Sequence, residues 1–398
     1  MTKDRSFAIL WAGQAVSDLG SAVTSIALPL LAVIALRASP AQVGALQAAA
    51  GAAVMVVTLP AGVLVDRVSG RAVMIVCDVG RAVLLSSIPV AAAVGALALA
   101  QLYVVASVSA GLTVMFGLAH HSFYPRLLDD DQLVGGNSRI AWTESAARVA
   151  GPACGALAVG VFGAARVMVL DAASYLISAS SLILVTAPAA PAADRMPRAE
   201  LRSAAIGIQI LRGDNMLRRL TLCTIGSMVS LGLTSAVIVP FVVIDLRQSV
   251  AMLGVIFAVG EIGGVVAASA TSGLTARLGL TRLIRSIAAL SPAGVLAAVA
   301  TPSNAIVLIT GFVALSAFRF VVFDVIQYSC RARRCPPEAL GRLNALIRCG
   351  VGGATAFGAM LGGLLADSMG YQLTFVVSAV ILAAASLPVI RIAAAGDN

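Results

Sequence analysis

Charge is what this chain has least of. Only 11% of its 398 residues are Asp, Glu, Lys or Arg, where a water-soluble domain has about a quarter, so the sequence lacks the polar surface that a globular protein of this length needs. Histidine is scarcer still. His120 and His121 are the only two, and as neighbours on a helix they point in different directions, which is poor geometry for a shared metal and leaves no H-E-x-x-H site. With no G-x-S-x-G elbow either, nothing suggests hydrolysis through a Ser/His/Asp or Cys/His set. A G-x-x-x-x-G-K-S/T nucleotide loop is absent, and the longest polar segment is too short for an ATPase domain. The six cysteines, Cys77, Cys154, Cys223, Cys330, Cys335 and Cys349, have no paired zinc-like spacing, so neither metal nor disulfide is expected. Aromatic content of 5% gives no sign of a rich multidrug pocket. No catalytic residue and no cofactor is expected.

What the chain has is apolar length. It is 60% hydrophobic, with a mean hydropathy of +0.99, and many of its apolar runs reach or exceed the roughly 20 residues that span a bilayer as a helix. Alternating ten-residue segments of the barrel kind are missing, which leaves helices as the spanning element. The breaks between runs predict helices near 7–36, 41–65, 72–97, 99–121, 137–162 and 167–187, then near 217–244, 251–276, 283–300, 304–330, 340–366 and 373–392. The first run is too long for the h-region of a signal peptide and is read as a retained helix.

The 27 basic residues outnumber the 18 acidic ones, and they cluster between runs rather than on a soluble face, so topology explains them better than nucleic acid does. Lys3 and Arg5, Arg67 and Arg71, Arg126 and Arg139, the 195–219 segment, Arg277 with Arg282 and Arg285, and 331–342 all fall at the N-terminus or at even-to-odd connections. The other connections hold only Arg37, Arg166 and Arg247. The positive-inside rule then puts both termini in the cytoplasm, which requires an even number of spans.

The segment 188–216 is the one long polar interruption, and from 200 to 212 it has the makings of an amphipathic surface helix. It divides the chain into an N-terminal half (1–187), a central cytoplasmic loop (188–216) and a C-terminal half (217–398). The halves repeat. Asp131, Leu133 and Asn137 match Glu338, Leu340 and Asn344, and Gly155 matches Gly362, all at an offset of 207 residues; Ser39 and Gly44 match Ser249 and Gly254 at 210. Six spans on each side of a central loop make a parallel duplication.

Between the second and third runs lies Gly62-Val-Leu-Val-Asp66-Arg67-Val-Ser-Gly70-Arg71. A glycine allows close helix approach, an acid in the last turn can pair with a neighbouring helix, and arginines hold the turn in water. The stretch resembles the G-x-x-x-D-R-x-G-R-R/K loop signature of major facilitator superfamily transporters, with Ser69 where the second glycine is usual and Gly70 in place of the first basic residue after it. The resemblance implies that Gly62, Asp66, Arg67 and Arg71 latch one conformation of an alternating-access cycle. Two further stretches, Trp11-Ala-Gly13-Gln14 and the 333–348 run with Pro336, Gly341, Arg342 and Asn344, are similar to the branch that includes macrolide-efflux proteins and enterobactin exporters. Gly151-Pro152-Ala-Cys-Gly155 resembles the core of the antiporter motif of drug exporters, with Ala147 and Ser138 where that motif has its earlier glycines. It suits a helix that bends and packs closely at a rocking interface.

Ionisable residues at membrane depth cost at least about 2.5–3.5 kcal/mol each and are functional hypotheses by default. Asp18 lies about eleven residues into the first run, near the midplane, and is the candidate proton-coupling carboxyl, an acid capped by Ser17 or Ser21 being the alternative. The resemblance implies a cavity lined by the first, fourth, seventh and tenth helices, which makes Met115, Phe116, Arg319 and Phe320 candidate cavity residues and Asp18–Arg319 a candidate gate. Asp324, five residues beyond Arg319, is poorly spaced to pair with it. Glu144 and Arg148, at i,i+4, and Glu261 in the eighth helix are expected to form an interface or gating network together with Gly151, Pro152 and Gly155. Asp78 and Arg81 are read as structural, facing the latch.

The fold expected is an all-α membrane protein, twelve transmembrane helices in two six-helix parallel-repeat halves, sited in the plasma membrane. The function expected is secondary transport, export of a hydrophobic or amphipathic small molecule by proton antiport, with substrate, protons and lipid as partners, no nucleic acid, and a monomer by default. Import on the same fold, and a non-transporting sensor or assembly role, stay open as alternatives.

Overall fold

The computed structural model describes residues 3–129, 131–185 and 200–395, and within them there is helix and turn but no strand. The helices are α1 (Lys3–Ile34), α2 (Pro40–Arg67), α3 (Gly70–Ala93), α4 (Leu99–Phe123), α5 (Leu133–Phe162), α6 (Ala164–Leu184), α7 (Glu200–Gly213), α8 (Asn215–Pro240), α9 (Val250–Ala288), α10 (Gly294–Ala298), α11 (Ala305–Arg334), α12 (Pro337–Met369) and α13 (Tyr371–Ala395). Eleven stretches among the described residues are long and apolar enough to cross a membrane, and one of them, Val250–Ala298, is 49 residues long. It holds two crossings. Gly279 sits at φ 73°, ψ 160° inside α9, a left-handed region open mainly to glycine, and it breaks the helix where the sequence predicted a turn between its eighth and ninth spans. Twelve crossings follow, as the composition led us to expect. α7 is the helix of the central segment.

The chain forms two compact units. One comprises Met1–Ala38 with Ala49–Arg198, the other Ser39–Ala48 with Ala199–Asn398. The first turns of α2 thus group with the second unit, where Gln47 donates to the Ser235 carbonyl (2.9 Å) and accepts from the Ser235 hydroxyl (2.6 Å).

Inside the first unit α1 packs on α5 and α6, and α3 on α4 and α6; inside the second α8 packs on α12 and α13, and α9 on α11. Small residues make these approaches possible, as they do where lipid removes the hydrophobic drive between helices. A Cβ on Gly155 would come within 3.0 Å of the Val23 carbonyl oxygen, and one on Gly362 within 2.6 Å of that of Leu233. The two glycines stand at the repeat offset, Gly155 seating α5 on α1 and Gly362 seating α12 on α8.

The repeat extends to backbone detail. Arg37 and Arg247 both adopt positive φ (51° and 53°), as do Gly163 and Gly370 (81° and 88°). The amide of Ala38 reaches the Ala32 carbonyl, and that of Gln248 the Val242 carbonyl, 210 residues on. Tyr124 donates to Asn137 Oδ1 in the first unit, and Arg331 to Asn344 Oδ1 (3.1 Å) in the second, tying α11 to the start of α12 as the loop after α4 is tied to α5. The offset for both partners is 207.

Candidate functional site

The apolar stripes of α1, α3 and α6 meet inside the first unit, and each carries an acid into the meeting. Asp78 and Arg81 stand one turn apart on α3, 0% and 3% exposed, and form a buried ion pair. Arg81 also donates to Thr113 Oγ1 on α4 (3.3 Å), and its guanidinium lies 4.1 Å from the Tyr175 ring centroid and 4.9 Å from that of Phe116. Sandwiching between rings is a favourable setting for a desolvated guanidinium.

Asp171, on α6 and 0% exposed, accepts from Ser174 Oγ (3.0 Å) and bonds Thr24 of α1. Glycine makes the junction possible: a Cβ on Gly20 would meet Asp171 Oδ1 at 2.4 Å. Asp18, half-buried, accepts from Gln14 Nε2 (2.8 Å) and lies within electrostatic reach of Glu144, Arg81 and Asp78. Ser21 and Tyr175 share a hydrogen bond across α1 and α6 (2.8 Å). One oxygen of Asp78, one of Asp171 and the Nε of Arg81 are buried without a hydrogen-bond partner. The arrangement is a polar seam in an apolar bundle with three carboxyls for one guanidinium.

The second unit has a different centre. Arg319 of α11, 5% exposed, donates to Ser227 Oγ on α8 (3.3 Å) and Ser386 Oγ on α13 (3.2 Å) and faces the Phe323 ring at 5.9 Å. Deeper along α11, Asp324 accepts from Gln327 Nε2 (2.7 Å), and Thr224 donates to Gln327 (2.5 Å).

Of the residues singled out in the sequence, Asp18 belongs to the seam. Phe116 is fully packed, beneath Arg81, rather than open to a cavity, and Met115 packs against the same core. Phe320 is exposed. Arg319 is held by hydroxyls of its own unit and Asp18 by Gln14. Gly151 and Gly155 make their close approaches to Ala22 and Val23 of α1, and Pro152 lies between them on α5; the tight packing of this motif is internal to the first unit. Glu144 is exposed on α5 and Glu261 half-buried on α9. Arg71 donates to the Ile183 carbonyl (2.5 Å), satisfying one of the open carbonyls at the end of α6. α2 runs through Gly62, Asp66 and Arg67, and the side chains of Asp66, Arg67 and Arg148, with the surroundings of Gly62, lie outside the described residues. Asp78 and Arg81, expected from the sequence to be structural, form the heart of the seam. Asp171 and Tyr175 were passed over. A lone acid seven residues into an apolar run is the same signal that flagged Asp18.

Comparison with known proteins fits this architecture. The family model described as transmembrane secretion effector matches residues 2–395. An uncharacterized transporter of the major facilitator type from Bacillus subtilis (strain 168), YfiS, is 26% identical over 234 residues, which is 58% of this chain and 55% of YfiS. Among solved structures, the nucleoside transporter NupG superposes with a TM-score of 0.77 at 15% identity, covering 97% of this chain and 99% of its own. A bacterial homologue of the iron transporter ferroportin, in an inward-facing state, gives 0.76 at 16% identity over 99% and 100% of the two chains. A bacterial homologue of the lysosomal transporter Spinster gives 0.76 at 14% identity over 98% and 96%. At these identities the likeness is one of fold.

Proposed function

We propose that this chain, which belongs to the transmembrane secretion effector family of the major facilitator superfamily, is a proton-coupled exporter of a hydrophobic or amphipathic small molecule. The reading rests above all on the seam of α1, α3 and α6. Among the described residues, three carboxyls, Asp18, Asp78 and Asp171, lie within electrostatic reach of the guanidinium of Arg81, which pairs with Asp78, and full ionisation would leave an excess negative charge at a depth where each charge costs several kcal/mol. Binding and release of a proton there is the inexpensive way to change the charge of the bundle. Asp18 is the carboxyl that exchanges the proton, since it is half-buried and bonded only through Gln14, while Asp78 and Asp171 are fully enclosed and hold Arg81 and α6 in place. Alternating access comes from the two repeated halves rocking about the site, with Gly62, Asp66, Arg67 and Arg71 latching one state. Both termini are cytoplasmic and the membrane is the plasma membrane. The similarity to secretion effectors and the Gly-Pro element of α5 favour outward flux. Apolar chemistry of the substrate is favoured by the low charge content of the chain.

The test is efflux of a panel of lipophilic dyes and antibiotics from cells carrying wild type, Asp18→Asn or Asp171→Asn at matched membrane levels. Loss of gradient-driven export in Asp18→Asn, with substrate binding retained, supports the assignment. Export unchanged in Asp18→Asn sinks it, and uptake in place of export moves the protein to the import reading on the same fold.

A further inference from the structure

We propose that the second unit holds a small inorganic anion, chloride being the physiological one, against Arg319. The guanidinium is 95% withdrawn from solvent among α8, α9, α11 and α13, and the groups that meet it are two serine hydroxyls, the Cys223 thiol and the Phe323 ring. All of these are dipoles or polarizable groups. Among the described residues no carboxylate pairs with it. The contrast with Arg81, sunk in the same kind of setting but paired with Asp78, is direct.

A buried cation without a counter-charge is among the most expensive arrangements in a protein. Something must offset it, and the surroundings define its size. Arg319 lines a cavity together with Cys223, Ile284, Ile287, Phe323 and Ser386. Its free space is that of roughly one water-sized occupant, so a halide enters with a slight outward shift of the apolar wall, while an organic carboxylate or a phosphate ester does not fit. Nε of Arg319 is buried with no hydrogen-bond partner, so one guanidinium donor remains open. The Ser227 hydroxyl can turn its hydrogen towards an anion while its oxygen still accepts from Nη2, and Ser386, which donates to the Leu382 carbonyl (2.8 Å), holds the guanidinium in place. Ile284, Ile287 and Val389 supply the apolar wall that suits a weakly hydrated halide. A water would satisfy Nε but leave the charge.

The inference is independent of the transport reading, since it concerns the unit that lacks the carboxyl seam. It is tested on the purified full-length protein in detergent by following the unfolding midpoint while chloride or bromide replaces gluconate at constant ionic strength. The expected result is a saturable rise of about 2 °C or more with either halide, absent in Arg319→Met. In the Ser227→Ala/Ser386→Ala double variant, which keeps the arginine and covers the case that Arg319→Met fails to fold, half-saturation moves to at least about tenfold higher halide. Equal midpoints of wild type in chloride and gluconate would overturn the proposal, as they leave the cavity to water. A halide response that persists unshifted in both variants would overturn it too, by moving the ion elsewhere.

Discussion

The two halves of the molecule place a guanidinium over equivalent phenylalanines, Phe116 and Phe323, 207 residues apart, and do so from different helices. In the first half the arginine is Arg81 on α3, its charge met by Asp78. In the second it is Arg319 on α11, met by Ser227 and Ser386. The residue 207 beyond Arg81 is Ala288, which lines the Arg319 cavity, and 207 beyond Asp171 stands Ser378, hydrogen-bonded to Ser230 rather than bearing a charge. Duplication has therefore kept the backbone, down to the positive-φ residues and the glycine seats, and let the buried electrostatics diverge. Among the described residues, one unit carries a seam of three carboxyls around its buried arginine and the other a buried arginine met by hydroxyls.

The sharpest way to break this comparison is to make one substitution at both arginines. Arg81→Met removes the cation paired with Asp78, the only one in the seam among the described residues, and should destabilise by about 3–5 kcal/mol, the usual result of stripping one partner from a buried pair. Arg319→Met removes a charge with no carboxylate to strand, and in halide-free buffer it should be neutral or stabilising. Thermal unfolding of the two purified variants beside wild type reads both effects. Equal losses would mean that the halves are electrostatically alike after all.

The glycine seats come next. A Cβ at Gly362 would press to 2.6 Å on a backbone oxygen of α8, one at Gly155 to 3.0 Å on the corresponding oxygen of α1. Gly362→Ala should therefore cost about 1–3 kcal/mol, as overpacking does, with Gly155→Ala costing less. The reverse order would show that α1 and α5 are the more tightly seated pair.

A smaller effect is expected at the inter-helix clasps. Tyr124→Phe removes the donor to Asn137 and should cost about 0.5–1.5 kcal/mol, the net worth of one hydrogen bond. Arg331→Met should cost somewhat more, because the bond to Asn344 is charge-assisted and Arg331 also reaches the Gln327 carbonyl. Hydrogen exchange at the first turns of α5 and α12 would register the loosening.

These contrasts bear on what a sequence of this kind makes legible. The number of crossings, the half-length repeat and the turn between the eighth and ninth spans are readable, because apolar run length, a recurrent offset and the cluster of Arg277, Arg282 and Arg285 between two runs are local signals. The seam was read only in part. Asp18 stood out as an acid at midplane depth, but Asp78 and Arg81 lie near the end of a run and looked like companions of the latch, and what buries them is Tyr175 and Ser178 of α6, a hundred residues away. Asp171 needed no such partner to be noticed, only the same depth argument applied to α6. The partners of Arg319 are long-range too: Ser227 and Ser386 are commonplace serines until three helices bring them together. Helix number follows from one-dimensional pattern, whereas the pairing of buried charges depends on which faces meet.

The weakest test sharpens the comparison at the helix starts. α8 opens the second half's transmembrane bundle with a built cap: Asp214 accepts from the amides of Met216 (2.8 Å) and Leu217 (3.0 Å) and from Arg334 Nη1 (3.2 Å). By contrast, Ser69 at the start of α3 makes no side-chain cap bond. Partial burial works to raise the Asp214 carboxyl, but the Leu217 and Met216 amides and the Arg334 guanidinium outweigh it and hold the group below the ordinary aspartate value. A carboxyl depressed in the folded state stabilises fully above its unfolded value, near about 3.9, and its contribution disappears as pH falls through the lower folded value. Asp214→Asn keeps the capping acceptor and loses the ion pair, so at neutral pH it should cost no more than about 1 kcal/mol, as expected of a pair with an exposed arginine. Unfolding midpoints of wild type and Asp214→Asn, followed from pH 6 down to pH 3, should converge at the acid end. A gap that stays constant over that range would mean that the cap, and not the charge, is what Asp214 contributes.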